Sequence, residues 1–176
     1  MIDIWTIKER LVEILQTDSD LYNDAVSAND VIREIKSGAP DENELTRITT
    51  LPSLFITNDD IIDNISLNGS YRDDNSLRLE HEIRVLLLLI VDGKDSQKAE
   101  RIGDLLVKNI VDRLEKFPEL EEPDTSESPE SISISGTGIV LSHRPEQIAV
   151  LDRSLVGKAK QGRVIRLMIK VPDNSD

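Results

Sequence analysis

The chain has no cysteine, so it has neither a disulfide framework nor a thiolate-bound metal, which fits an intracellular assembly environment and leaves stability to packing. Aromatic residues are scarce: two Phe, two Tyr and one Trp. Stacking of single-stranded bases depends on such rings, so that mode of binding is disfavoured. Only two histidines occur, His81 and His143, and neither belongs to a short ligand motif, so no zinc site is expected. The longest apolar run, Val85 to Val91, is far shorter than the roughly 20 residues that cross a bilayer. No basic segment leads into an apolar one near the start of the sequence, and a soluble protein without a cleaved leader or membrane partner is expected.

What the chain does have is aliphatic. Isoleucine, leucine and valine supply 54 of its 67 apolar residues, a β-branched-rich interior that favours sheet. A single domain over 1–176 is expected, because a chain of 176 residues can bury about 70% of the surface it exposes when unfolded. The net charge of −13 opposes general nucleic-acid binding, which draws its affinity from phosphate neutralisation. That charge is unevenly placed. Between His143 and Val171 seven basic residues face two acidic ones, a balance of +5 that leaves −18 for the rest. Asp outnumbers Glu by 19 to 15 and Arg outnumbers Lys by 12 to 9, a bias suited to a salt-adapted host.

Along the chain, Ile4, Ile7, Leu11, Ile14 and Leu15 recur at helical spacing and predict an amphipathic N-terminal helix. Residues 17–50 read mostly as a long loop, with a short turn of helix or strand around Val31 to Ile35. Pro52 introduces a strand, Ser53-Leu54-Phe55-Ile56-Thr57, and the segment to Ser76 reads as an extended loop or hairpin. Leu77 to Val91 alternates apolar and charged residues before both faces turn apolar, which predicts a strand that begins half exposed and ends buried. After a turn at Asp92-Gly93, Ala99, Ile102, Leu105, Leu106, Ile110, Leu114 and Phe117 form a helical stripe that Pro118 ends. Residues 119–131, acidic and proline-bearing, read as a solvated connector. Ile132 and Ile134 alternate with serines, and Ile139–Leu141 and Gln147–Leu151 continue that pattern as a hairpin arm. Arg163 to Val171 reads as the closing strand, with 158–162 leading into it. The fold expected is α+β: an antiparallel or mixed sheet of about four to five strands, with the N-terminal helix and the long helix on one face.

Catalytic patterns are missing from the sequence. Asp59, Asp60 and Asp63, with Asp73 and Asp74 beyond, would suit a hard cation by ligand type, but their spacing does not fit a calcium-binding hand loop and turn or capping roles explain them. No serine occupies a Gly-x-Ser-x-Gly elbow, and Gly136-Thr137-Gly138 lacks the third glycine of a dinucleotide loop. Glu80 and Glu82 share a strand face with Arg78 and Arg84, a pattern read as charge pairing rather than acid–base chemistry. No enzyme activity, cofactor or metal is expected. The basic C-terminal segment supplies the candidate contact residues Arg153, Lys158, Lys160, Arg163 and Arg166, for a neighbouring subunit, an acidic partner or a DNA-bearing lumen. An acidic body with a basic edge suits head-to-tail association, which joins two different patches and can close into a ring.

The N-terminal amphipathic helix, the strand Leu51-Pro52-Ser53-Leu54-Phe55-Ile56, the long strand Leu77 to Val91, the helix Asp95 to Lys116 and the closing strand Arg163 to Val171 resemble, in order and spacing, the tail-terminator proteins of tailed phages and related archaeal viruses. The resemblance covers most of the chain and carries over no catalytic or individual interface residue. It implies a virion structural protein, assembled in the host cytoplasm into a hexameric ring that ends tail-tube growth. Its implied partners are further copies of itself, the tail-tube protein and a neck or head-completion protein, with DNA passing through the lumen without specific contacts. The loops at 17–50 and 119–131 exceed what a compact member requires. Two other classes fit the same residues: another neck or baseplate adaptor of the virion, and a cellular adaptor that binds an extended peptide at a strand edge.

Overall fold

The computed structural model describes residues 3–25, 28, 30–40, 45, 47–59, 66–71, 77–124, 136–151, 156–157 and 159–172, and for 66–71 and 77–81 it describes the backbone. Its elements run α1 (Ile4–Gln16), β1 (Glu34–Ser37), β2 (Ser53–Asn58), β3 (Ser66–Tyr71), β4 (Leu77–Asp92), α2 (Ser96–Glu115), β5 (Ser142–Leu151) and β6 (Lys160–Pro172). The strands form one sheet in the order β1-β2-β4-β6-β5, and β3 also pairs with β4. β1 and β2 are parallel and every other pairing is antiparallel, so the sheet is mixed and the class is α+β.

β4 organises the sheet. On one flank it pairs with β6 from Glu80 to Asp92; on the other, β3 takes its first half and β2 its second. Its alternation decides which face is buried. Ile83, Val85, Leu87, Leu89 and Val91 point to one side and are buried with Leu54 and Ile56 of β2 and Ile165, Leu167, Ile169 and Val171 of β6. Ile7, Leu11, Ile14 and Leu15 of α1 and Leu106, Ile110 and Leu114 of α2 cover that side. The two helices therefore share one face, α1 over β1 and β2, and α2 over β4 and β6. On the opposite face Phe55, Ile90 and Val156 make a small second cluster under Leu45, Ile48 and Leu51.

Both helices start where the sequence supplies a cap. Asp3 accepts from the Trp5 amide at 3.3 Å and Asp95 from the Lys98 amide at 3.1 Å, each satisfying a backbone donor that the first turn leaves without a partner. The end of α1 is held by a buried arginine. Arg113 of α2, 7% exposed, donates through Nε to the Ile14 carbonyl at 3.1 Å and through Nη2 to Thr17 Oγ1 at 2.9 Å, with its guanidinium over the Phe117 ring. Burial lowers its pKa, and Asp18, 3.9 Å away, opposes that shift.

Several expectations change on contact with this architecture. The short strand allowed near Val31 to Ile35 shifts to β1, and of the two readings of the segment before Ser76 the hairpin holds, with β3 pairing antiparallel with β4. β6 starts at Lys160, so residues 160–162 belong to the strand and not to its lead-in. Leu105, counted in the stripe of α2, is 44% exposed; Gly103 and Val107 face the core instead. Leu120, at the start of the supposedly solvated connector, is fully buried, and the Glu119 carbonyl accepts from the Ile139 and Val140 amides. Ile139–Leu141 precede β5 rather than belonging to it, and Ile132, Ile134 and most of the connector lie outside the described residues.

Replacing Arg113 by Met keeps the apolar stem but leaves the Ile14 carbonyl without its donor, at a cost of about 1–3 kcal/mol. Urea unfolding measures that loss, and hydrogen exchange at the last turn of α1 is expected to quicken. Leu87→Ala, in the centre of the core, is expected to cost about 2–5 kcal/mol in the same assay.

Candidate functional site

The five basic candidates do not form one patch. Arg153 and Lys158 lie outside the described residues. Lys160 Nζ donates to the Leu45 carbonyl at 3.1 Å, and burial lowers its pKa. Arg163 lies on the helix-covered face, 4% exposed, with Nε 3.3 Å from Asp104 Oδ1 of α2. A Cβ at Gly103 would sit 3.3 Å from its guanidinium carbon, so the glycine in mid-helix makes room for the arginine. Arg166 lies on the opposite, open face, where Nε is 2.6 Å from Asp59 Oδ2 and Nη1 donates to Gln147 Oε1 at 2.8 Å. The Nε and Asp59 approach is an ion pair by distance and lacks the alignment of a hydrogen bond.

Asp59 itself is fully buried, a role that turn chemistry did not foreshadow. Asp60, Asp63, Asp73 and Asp74 lie outside the described residues, and among those described no group of three or more acidic or histidine side chains could hold a metal. A second pair crosses the first: Arg84 of β4 donates through Nε and Nη2 to the two Glu146 oxygens of β5 at 2.9 and 3.3 Å. Together the pairs tie β2, β4, β6 and β5 across the open face. Glu146 reaches this position from a β-bulge: Pro145 opposes Leu167 and Gln147 opposes Arg166, which leaves Glu146 as the extra residue.

The bulge also sets what β5 offers to its surroundings. Beyond it, Ile148 pairs with Ile165 and Val150 with Arg163, so both point to the helix side of the sheet. There α2 does not cover them, and they are 52% and 70% exposed. β5 is the end strand of the sheet order, and among the described residues its outer edge is unpaired. Two apolar side chains thus stand beside a row of backbone donors and acceptors open to another strand.

At the other end of β5 a cavity of about 230 Å³ opens between the strand and the C-terminal half of α2, lined by Val111, Leu114, Glu115, Pro118, His143, Pro145 and Leu167 among others. His143 Nε2 lies 2.9 Å from the Phe117 carbonyl, which can only accept, so Nε2 is the donor in that contact. Nδ1 is buried and has no partner among the described residues. The backbone of His81 pairs with Val171, and its side chain is not among those described. Asp59, Glu146 and His143 were hard to single out from sequence because their partners lie far along the chain; the displaced alternation after Pro145 was the one local signal.

The hydrogen bonds from Arg84 hold the Glu146 carboxyl below the usual carboxylate range, aided by the nearby charges of Arg84, Arg166 and Arg144 and opposed by partial burial. A depressed folded-state pKa gives stability that is present above the unfolded value and lost as pH falls through the folded one. Glu146→Gln is therefore expected to cost up to about 1 kcal/mol at neutral pH, the scale of an exposed pair, and nothing below the depressed carboxylate range. Urea unfolding across the acid range checks this. No family model matches the chain, and no curated protein matches it significantly.

Proposed function

We propose that this chain is a structural subunit of a virus particle, one copy in a hexameric ring that caps a tail tube, ends its polymerisation and joins the tail to the head-proximal neck. The observation that carries this reading is the β5 end of the sheet, where exposed Ile148 and Val150 flank an outer edge unpaired among the described residues. An edge of that kind invites association, and soluble monomers commonly blunt theirs. The opposite end of the sheet differs from it: β1 is short, its Lys36 and Glu34 pair with each other, and Ser37 bonds to Glu9 of α1. Two unlike ends on one sheet suit a heterologous contact, the kind that closes into rings. The element order that resembles tail terminators adds to this, as does the acidic chain with its basic segment at 143–171.

The same edge supports a second reading, in which an extended segment of another protein adds a strand to β5; that is the behaviour of a neck or baseplate adaptor or of a cellular peptide-binding adaptor. Electron microscopy separates the two. For the ring subunit, the purified chain mixed with tail tubes is expected to form annular particles at one tube end, and antibody against the chain is expected to label the head-proximal end of virion tails. Label at the distal tip, or none on virions, would count against the terminator reading.

A further inference from the structure

We infer that Trp5 of one copy docks into the cavity between α2 and β5 of the next; this rests on the ring reading above and names its contact. Trp5 is the sole tryptophan of the chain, and it stands 49% exposed on the first turn of α1. Its place on the helix is informative. Glu9, one turn further along the same flank, bonds to Ser37 of β1, whereas Arg10 and the Ile14 carbonyl, on the other flank, meet Leu120 and Arg113. Trp5 therefore faces away from α2, at the β1 end of the sheet. The cavity lies at the β5 end.

The two features are complementary in size and chemistry. A cavity of about 230 Å³ exceeds the ~150 Å³ that admits benzene. Its walls include Val111, Leu114, Pro145 and Leu167, an apolar lining for a ring. The surrounding charges match as well. Exposed Asp3 flanks Trp5, and exposed Arg144 flanks the cavity. Aromatic anchors seated in preformed pockets carry much of the affinity of protein interfaces. Because knob and socket lie at opposite ends of one sheet, each copy uses both, and the contact propagates head to tail.

The full chain tests this through two surface variants. Trp5→Ala removes the knob, and Val111→Phe fills the socket. Each alone is expected to sediment as a monomer under conditions in which the unmodified chain assembles, with its far-UV circular dichroism unchanged. Mixed, they are expected to form one-to-one dimers and nothing larger, because only Trp5 of the Val111→Phe copy and the open socket of the Trp5→Ala copy can meet. Fluorescence then reports the docking directly: the single tryptophan in the mixture moves to shorter wavelength. Should Val111→Phe disturb α2, Trp5→Ala alone still decides. Assembly of Trp5→Ala at full strength would overturn this contact and leave the ring reading standing. An unmodified chain that stays monomeric at every concentration, with solvent-like tryptophan emission, would overturn both.

Discussion

The antiparallel pairing of β4 with β6 is the interaction on which the other elements depend. β4 is sixteen residues long and carries Leu86–Leu89 and Ile90 in one unbroken run, which water tolerates poorly unless both faces and both edges find partners. β6 takes one edge along most of its length, and β2 and β3 divide the other. The helices close one face of the resulting strand pair. Among the described residues the second face is closed at one end, by Leu45, Ile48 and Leu51 around Phe55 and Ile90, and is polar where Arg84, Arg166 and Glu146 cross.

Arginine ties these layers together. Arg113 anchors one helix to the other, Arg163 anchors α2 to β6, and Arg84 and Arg166 brace the open face. Each presents several donors on a rigid planar group, which lysine could not reproduce at a helix end or across two strands. The positive balance of the C-terminal segment is thus partly spent inside the fold. Only some of it remains for a partner, and the boldest outward features are instead apolar: Trp5 at one end, Ile148 and Val150 at the other.

Periodicity made the core legible. Ile7, Leu11, Ile14 and Leu15 in α1, the Ile83-to-Val91 alternation in β4 and the Ile165-to-Val171 alternation in β6 each bury the residues that the pattern selects, because one face of each element meets a single apolar layer. β1 was obscured because a four-residue strand with one buried side chain has almost no pattern to read. The site was less legible for a related reason. Arg163 and Arg166 look alike in sequence, yet three residues of strand place them on opposite faces, one against a helix and one against a buried Asp59. The exposed pair on β5 depends on the extra residue Glu146; without that bulge Ile148 and Val150 would turn to the open face.

The central position of β6 has a consequence for synthesis. Residues 160–172 fill the slot between β4 and β5, so β4 leaves the ribosome with one of its edges vacant while 93–159 are made. At about 5–20 residues per second, the wait to residue 172 is roughly 4–16 s. During that interval the Leu86–Val91 segment, free of charge and proline, can meet the same segment of another nascent chain. Pairing with β2, already made, protects one side. The yield of folded protein should therefore respond to translation rate and temperature more than its final stability would suggest.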